Sequence, residues 1–255
     1  MRTVSLQSGS NGNCYYVEAG GVRLLFDAGI SGRRAMERLA AHGVSIRDVD
    51  ALIISHDHVD HVRHAGAFHR LFHVPVYLNR ATHRVVRGQL GEIRDLQFFV
   101  SGRTLEFGSV RVETIPTPHD AADGVAFVVE YEGRRLGIFS DLGHPFPRLR
   151  EALATCHAAY LESNYDPVML AEGAYPADLK ARIRGDGGHI SNEEAAALVA
   201  ERPGRPMEWV ALAHLSEENN HPEVALRTHR RVLGERYRLT VARRDGVSEM
   251  LRVDG

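Results

Sequence analysis

Ala51-Leu52-Ile53-Ile54-Ser55-His56-Asp57-His58-Val59-Asp60-His61 is the stretch of sequence that decides the fold. Four apolar residues, typical of a buried strand, are followed by three histidines and two aspartates within six residues. Imidazole and carboxylate groups at this density would make a poor apolar core. They are well suited to a pair of divalent metal ions, which together activate water and neutralise an oxyanion.

The spacing within this string divides its side chains between two ions. Residues at i and i+2 of an extended backbone project to the same side, so we expect His56 and His58 to bind one ion. Asp60 and His61 follow where the chain turns into a helix, and we expect them to bind a neighbouring ion. Neutral imidazole and carboxylate are suitable ligands for Zn²⁺ or Mn²⁺.

Three more candidate ligands follow predicted strands later in the chain. They are His119, Asp141 and His214. Taken singly, each also fits an ordinary loop or turn residue. Because open sheets place their sites outside the carboxyl ends of strands, we expect all three to converge on the His56–His61 string. Asp141 can bridge both ions with its two carboxylate oxygens.

Composition indicates an ordinary globular protein. The 255 residues are 44% hydrophobic and 25% charged, and we expect them to form a single domain spanning residues 1–255. No apolar run approaches the roughly 20 residues that span a bilayer, so we expect no membrane association. No signal peptide is visible, and Cys14 and Cys156 give no disulfide framework, so we expect a cytoplasmic location. The net charge of −2 argues against a cationic nucleic-acid binder of the usual kind.

The order of the predicted elements indicates the fold class. Short strand-like runs fill the first residues, a long β series covers about residues 98–140, and helices alternate with strands thereafter. Ser191, with Glu194 three residues later, predicts the start of a helix through a capping box. Many strands with helices in both halves favour a layered α/β fold, with sheets inside and helices outside.

Together these motifs resemble the metallo-β-lactamase-fold hydrolases over nearly the whole chain. Leu25-Phe26-Asp27-Ala28-Gly29 is similar to the family's first motif, in which the acid supports metal-binding histidines from behind. The resemblance implies an αββα sandwich with two central mixed β-sheets flanked by helices. It also implies a complete set of ligands for two divalent ions: His56, His58 and His119 for the first, Asp60, His61 and His214 for the second, and Asp141 as the bridge.

A closer resemblance is to the WalJ/YycJ group of bacterial exonuclease-like proteins. Five segments resemble that group in order: Ser8–Asn13, Ser140–Gly143, Glu162–Asp166, Gly188–Asn192 and His214–Asn220. The resemblance implies a metal-dependent phosphodiesterase acting on DNA as a 5′-to-3′ exonuclease. In the mechanism we expect, a hydroxide bridging the two ions attacks the phosphodiester, and Asp60 orients it.

The segment Gly188-His189-Ile190-Ser191 resembles a motif at a helix start in tRNA 3′-processing ribonucleases of this fold. A capped helix start offers free N–H groups to phosphate. We therefore expect His189 to protonate the leaving oxygen or to contact the scissile phosphate, with Glu162 as its orienting partner. The alternative is that His189 merely precedes a helix and that Glu162 is a solvated strand end.

Further substrate contacts are expected from the resembling loops. Ser10, Asn11 and Asn13 can offer N–H and amide groups to phosphate, although their loop fits a plain glycine turn equally well. Asn164 and Ser191 are also expected to bind substrate. RNA-processing relatives carry a cap domain or a protruding arm, and this chain has no insertion long enough for either. We therefore expect a fairly open face that binds DNA ends or single strands.

Two other classes of function remain open at this stage. The first is a small-molecule hydrolase of the same fold, such as a cyclic phosphodiesterase, a lactonase or a thioesterase. The second is a non-catalytic nucleic-acid-binding protein, which would carry a broken ligand set. The sequence leaves the oligomeric state and the choice between Mn²⁺ and Zn²⁺ open, and also whether His144 or His221 contacts the site.

Overall fold

Two seven-stranded β-sheets form the centre of the protein. The computed structural model describes residues 1–254, and Gly255, the last residue of the predicted domain, lies outside them. The first sheet contains β1 (Arg2–Gln7), β2 (Cys14–Ala19), β3 (Val22–Phe26), β4 (Ala51–Ile53), β5 (Val76–Asn79), β6 (Leu96–Phe99) and, near the C-terminus, β14 (Leu251–Arg252). Its strand order is β14-β1-β2-β3-β4-β5-β6. The strands are antiparallel from β14 to β3 and parallel from β3 to β6.

The second sheet repeats this half-and-half arrangement. It contains β7 (Thr104–Phe107), β8 (Val110–Pro116), β9 (Val125–Tyr131), β10 (Arg134–Phe139), β11 (Ala158–Glu162), β12 (Trp209–Ala213) and β13 (Leu239–Val241). Its order is β13-β12-β11-β10-β9-β8-β7. The strands are antiparallel from β7 to β10 and parallel from β10 to β13. The prediction of two mixed sheets is confirmed.

Helices connect many of the strands of the two sheets. They are α1 (Gly32–Ala40), α2 (Val59–Val62), α3 (Ala65–Phe72), α4 (Arg80–Leu90), α5 (Pro147–Thr155), α6 (Pro167–Glu172), α7 (Ala177–Arg184), α8 (Asn192–Ala200) and α9 (Pro222–Leu233). One apolar core lies between the first sheet and α1, α3 and α4, and another lies between the second sheet and α5, α8 and α9. A third core fills the space between the sheets. The predicted αββα sandwich is confirmed.

The alternation of side chains explains why the central strands are apolar on both faces. In β3, Leu24 and Phe26 belong to the core between the sheets, whereas Leu25 packs under the helices. In β4, Ile53 faces the core between the sheets and Leu52 faces the helices. Successive side chains of a strand point to opposite faces, so a strand buried on both sides reads as a continuous apolar run.

Some elements agree with the sequence-based expectation and others were not predicted. The capping box at the start of α8 is present, with Ser191 Oγ accepting from the Glu194 N–H and the Glu194 carboxylate accepting from the Ser191 N–H. Helix α6 and strand β14 were missed because both are very short. Strand β14 pairs with β1, and Trp209 Nε1 donates to the carbonyl oxygen of Arg252 at 2.6 Å. Within residues 1–254, no helix has the length and apolar character needed to cross a bilayer.

A buried histidine on α9 makes the stability depend on pH. The side chain of His229 is fully buried, its Nδ1–H donates to the carbonyl oxygen of Ala225, and its Nε2 has no hydrogen-bond partner. Burial lowers the pKa of His229 to about 4. The unfolded chain therefore binds a proton on this residue below about pH 6.5 that the folded chain does not bind until about pH 4.

We expect His229 to contribute a loss of stability as the pH falls. The full stability is present above about pH 6.5, and the loss reaches about 2 kcal/mol near pH 5. Urea unfolding of the wild-type protein and the His229→Leu variant, each near pH 7.5 and near pH 5, measures this effect. The variant should lose less stability than the wild type between the two pH values. An equal loss in both proteins would contradict the prediction.

Candidate metal centre

Side chains from the ends of several strands converge at one edge of the sandwich. The structure brings together all seven residues that the sequence predicts as metal ligands, namely His56, His58, Asp60, His61, His119, Asp141 and His214. Their donor atoms form overlapping groups in which the atoms lie within 4.8 Å of one another. The converging positions follow β4, β8, β10 and β12, as expected for a site outside the carboxyl ends of strands.

The first group consists of three imidazoles. His119 Nε2 lies 3.1 Å from His58 Nδ1, and the ring of His56 lies edge-on to both other rings. His119 Nδ1 lies 2.8 Å from the carbonyl oxygen of Gly188, to which its N–H donates. This hydrogen bond leaves the lone pair of Nε2 directed at the group. His56, His58 and His119 can therefore hold one cation.

The second group combines a carboxylate with two imidazoles. Asp60 Oδ2 lies 3.4 Å from His61 Nε2 and 3.2 Å from His214 Nε2. Asp141 lies between the groups, because its Oδ1 is 3.5 Å from His119 Nε2 and its Oδ2 is 3.0 Å from His61 Nε2. A carboxylate in this position can contact a cation in each group.

Asp27 supports two of the histidines from behind. Its Oδ2 accepts from His61 Nδ1–H at 2.7 Å and from the Ser55 hydroxyl at 2.9 Å, and its Oδ1 accepts from the Ser55 N–H at 2.8 Å. Since the Ser55 hydroxyl donates to Asp27, Ser55 Oγ accepts from His56 Nδ1–H at 2.8 Å. Both histidines are thereby left with Nε2 lone pairs directed at the site, as metal ligation requires. The part played by Ser55 was not predicted from the sequence.

Unpartnered atoms in the cluster show that the donor set fits cations. His56 Nε2 and Asp141 Oδ2 are buried and have no hydrogen-bond partner. Leaving a buried polar atom unsatisfied costs about 1–3 kcal/mol, and a bound cation removes this cost. Burial, together with the charge of His61, keeps the pKa of His56 well below its usual value, so the imidazole is in its neutral, ligating form.

The aspartates of the cluster are held as carboxylates. Burial alone would raise the pKa of Asp141, but the charges of His214 and His61 outweigh burial and keep it well below the usual range. Burial is likewise outweighed at Asp60, where His61 and His214 lower the pKa. Carboxylates, and imidazoles that release a ring proton when the metal binds, are the ligands that hard or borderline divalent cations prefer.

Backbone strain is concentrated at these strand ends. Asp27, Asp141 and His214 have φ angles of 64°, 55° and 54°, in the left-handed region that non-glycine residues rarely adopt. Such conformations cost about 1 kcal/mol or more each and persist where the surroundings enforce them. Here each residue lies just beyond a buried strand, and the turn directs the side chains of Asp141 and His214 into the cluster and that of Asp27 behind it.

Glu162 and His189 form a pair beside the cluster. Glu162 is fully buried, and its Oε2 accepts from the Leu142 N–H at 2.9 Å while its Oε1 accepts from His189 Nδ1–H at 2.6 Å. Burial would lower the pKa of His189, but Glu162 outweighs burial and raises the pKa to about 9. His189 Nδ1 lies 3.7 Å from Asp141 Oδ1. The alternative that Glu162 is a solvated strand end does not match its burial.

The predicted substrate-binding residues are placed differently from one another. Ser10 and Asn164, like His189, line a cavity of about 210 Å³ beside the cluster. Asn13 is buried, and its Nδ2 lies 2.9 Å from His61 Nε2, so it faces the cluster itself. Asn11 instead donates to Asp245 on the exposed surface.

Three further polar residues, Ser191, His144 and His221, make hydrogen bonds outside the donor groups. Ser191 is used as the N-cap of α8. His144 Nδ1–H donates to the carbonyl oxygen of Asp186, and the His221 side chain caps α9. Within the described part of the chain, neither His144 nor His221 belongs to a potential metal-binding group. The substrate-binding roles of Ser10, Asn11, Asn13, Asn164 and Ser191 stay predictions.

A family comparison agrees with this geometry. The model of the metallo-beta-lactamase superfamily matches residues 8–198, which include six of the seven converging side chains. The chain belongs to the metallo-beta-lactamase superfamily. Membership of this superfamily makes the protein a metal-dependent hydrolase, and the His/Asp groups are where its divalent ions fit.

Within the metallo-beta-lactamase superfamily, the chain belongs with the YycJ and WalJ proteins. It is 35% identical over 233 residues to the exodeoxyribonuclease YycJ of Bacillus anthracis, covering 91% of this chain and 88% of the relative. It is 32% identical over 224 residues to the exodeoxyribonuclease WalJ of Streptococcus pneumoniae serotype 2, covering 86% and 83%. The fold is similar to that of the metallo-beta-lactamase fold protein YhfI of Bacillus subtilis, with a TM-score of 0.73 at 16% identity over 97% of this chain and 98% of that one.

The support from Asp27 gives a prediction for this metallo-beta-lactamase site. In Asp27→Asn, one carboxylate oxygen, an acceptor, becomes an NH₂ group, a donor. In either orientation the NH₂ group then faces another donor, either the Ser55 N–H or the two groups that donate to Oδ2. We expect metal affinity to fall about 10- to 100-fold, because a misoriented His61 is a poorer ligand. Competition with a chromophoric chelator measures this change. Asp57→Asn is the matched control, since Asp57 accepts from the Ala122 N–H outside the cluster, and equal losses in both variants would contradict the prediction.

Proposed function

We propose that this protein is a dinuclear metal-dependent phosphodiesterase that degrades nucleic acid, acting as a 5′-to-3′ DNA exonuclease. The observation that carries the proposal is the convergence of the His56–His61 string with His119, Asp141 and His214 beside a cavity that His189 lines. The relatives YycJ and WalJ are named exodeoxyribonucleases, which supports DNA as the substrate.

The proposed ligand roles follow the two groups. His56, His58 and His119 would hold one ion, Asp60, His61 and His214 would hold the other, and Asp141 would serve as a ligand to both. Each donor is nitrogen or oxygen, and we propose Mn²⁺ or Zn²⁺ as the metal. Asp27 and Ser55 keep His61 and His56 in the ligating tautomer.

The protein groups have separate tasks around the scissile phosphate. When bound, the two cations lower the pKa of a coordinated water and neutralise charge on phosphate oxygens. Asp60 orients the attacking water through its carboxylate. Glu162 accepts from His189 Nδ1–H and so stabilises the protonated ring, whose Nε2–H can donate to the departing sugar oxygen. Asn164 Nδ2–H donates to the carbonyl oxygen of His214 and fixes the end of β12.

The cavity supports a single strand or a free end as the substrate. Its volume of about 210 Å³ is below the about 300–1,000 Å³ of pockets that enclose drug-sized ligands, so it suits one nucleotide unit at a time rather than a duplex. We also propose a cytoplasmic location, supported by the free, buried thiols of Cys14 and Cys156, and a single domain over residues 1–255.

The test is the degradation of end-labelled substrates by protein that has been stripped of metal and reloaded with Mn²⁺ or Zn²⁺. Single- and double-stranded DNA and RNA are compared with bis-p-nitrophenyl phosphate and a thioester. We expect metal-dependent release of a 5′ label as a mononucleotide, while a 3′ label passes through progressively shorter products. A preference for the thioester or for a small phosphodiester over DNA would favour the small-molecule hydrolase instead.

A further inference from the structure

The cavity beside the metal centre has two chemically different walls. The imidazoles of the metal centre and polar side chains such as Ser10 form one wall. The other wall comes from α7 and the turn before it, and it contains Tyr175, Leu179 and Ile183. The fairly open face expected from the sequence is therefore closed on one side by apolar side chains.

Helix α7 is packed unlike the helices that cover the sheets. None of its residues is buried, and none of the three apolar cores of residues 1–254 includes Tyr175, Leu179 or Ile183. Leu179 and Ile183 are four residues apart and so lie on one face of the helix, which borders the cavity. Apolar side chains presented to a cavity at a catalytic site indicate a ligand with an apolar face.

This wall is joined firmly to the residues that line the metal centre. Arg182 Nε donates to Asp120 Oδ2 at 2.6 Å, and Asp120 directly follows His119 in the chain. The His189 N–H donates to the carbonyl oxygen of Ile183 at 2.9 Å. A Cβ atom on Gly188 would lie 2.2 Å from the same carbonyl oxygen, so the close approach of this segment to α7 leaves no space for a side chain at residue 188.

Tyr175 is a free aromatic ring in this wall. Its side chain makes no hydrogen bond and no aromatic or cation–π pair with any of the residues 1–254. Pro176 follows it and restricts its backbone to an extended conformation, which limits the positions of the ring. A partly buried aromatic ring that lines a cavity next to a phosphodiesterase site is suited to stacking on a nucleobase.

The charge of the cavity favours recognition of the base over recognition of further phosphates. Apart from the imidazoles of the metal centre and of His189, the described lining of the cavity contains one cationic side chain, Arg182, which Asp120 already neutralises. The whole chain carries a net charge of −2. Binding of a nucleic-acid strand here therefore needs a contribution other than counterion release.

We propose that Tyr175, with Leu179 and Ile183, forms a base-binding subsite for the nucleotide whose phosphate lies at the metal centre. The proposal rests on the proposed nuclease function and names the part of the substrate that this wall recognises. Stacking on an aromatic ring tolerates every base, because each base has a π-face. It also requires a base that has left its duplex stack, so the subsite selects single strands and frayed ends.

The experiment measures binding to the full-length, metal-loaded protein by isothermal titration calorimetry. The probes are thymidine 5′-monophosphate and 2-deoxyribose 5-phosphate, which differ only by the base. We expect the wild type to bind the nucleotide about tenfold more tightly than the sugar phosphate. Tyr175→Ala should lose this preference while its affinity for the sugar phosphate stays unchanged, and Tyr175→Phe should keep the preference. Tyr131→Ala, at a partly buried tyrosine that does not line this cavity, is the control and should also keep it.

The outcomes separate the subsite from the proposed function. An unchanged preference in Tyr175→Ala, or an equal loss of affinity for both probes, would overturn the subsite. If the protein degrades DNA while the preference is independent of Tyr175, the subsite fails and the nuclease function stands. If the preference depends on Tyr175 while no nucleic acid is cleaved, the base-binding subsite stands and the nuclease function fails. Thermal unfolding of each variant confirms that the fold is intact.

Discussion

Replacing His58 and Asp60 together with alanine is expected to abolish metal-dependent DNA cleavage, with a loss of at least about 1,000-fold in kcat/KM. His58 belongs to the three-imidazole group, and Asp60 belongs to the group with His61 and His214. The double substitution thus removes one ligand from each proposed ion site. It also removes the Asp60 carboxylate, which we propose orients the attacking water.

The double substitution should affect the site more than the fold. The side chains of His58 and Asp60 are 27% and 22% exposed, so neither fills space in an apolar core. The backbone carbonyl of Asp60, which accepts from the Asn13 N–H, is retained. Metal content by mass spectrometry and thermal unfolding should accompany the cleavage assay. The matched control is Asp57→Ala with His64→Ala, which removes the same two residue types from the same segment, and DNA cleavage that survives in the His58/Asp60 variant would overturn the proposal.

The sequence was sufficient to locate the candidate site because its local and global signals agree. The His56–His61 string supplies four of the donors directly after a buried strand, so the neighbouring strand β4 fixes their position. His119, Asp141 and His214 were found because each follows an apolar run, and parallel strands in a layered fold end at one edge. The positive φ of Asp141 and His214 agrees with this interpretation, since the backbone adopts a locally unfavourable conformation at the two residues whose side chains enter the site.

Other features of the site depend on distant parts of the chain that only the folded structure brings together. Ser55 is adjacent to the string, but its role depends on Asp27, which the parallel pairing of β3 with β4 places beside it. Asn11 and Asn13 are equivalent in sequence terms, yet Asn13 turns into the cluster and Asn11 turns to the surface. The alternation of side chains in a tight loop is set by tertiary contacts.

The cavity wall was not predicted for a different reason. Tyr175 lies in a short Gly-Ala-Tyr-Pro turn, and α7 has three basic residues and no buried position. Such a segment resembles a solvated surface helix, and the spacing of its apolar residues does not indicate that one face borders a cavity. Leu179 and Ile183 can be interpreted as part of a binding site only because the structure places them opposite the metal centre.

Replacing His189 with alanine is expected to lower kcat for DNA by about 100- to 10,000-fold, because general acid catalysis of the departing sugar oxygen is lost. The metal content should stay at the wild-type level, since His189 is outside the two proposed ligand groups. The loss should depend on the leaving group. p-Nitrophenolate departs without a proton, so the same variant should cleave bis-p-nitrophenyl phosphate at close to the wild-type rate.

Glu162→Gln separates orientation of His189 from proton transfer by it. The buried carboxylate accepts from both the Leu142 N–H and His189 Nδ1–H, and an amide can accept at only one of its two positions. We expect a smaller fall in kcat, by about tenfold or more, together with a shift of the alkaline limb of the pH–rate profile to lower pH, since Glu162 is a positioning residue that raises the pKa of the protonated ring. A structural role alone would lower the rate without moving the profile.

Equal losses on DNA and on bis-p-nitrophenyl phosphate in His189→Ala would contradict the role of His189 as the acid. The stabilisation removed by the substitution would then not involve protonation of the leaving group.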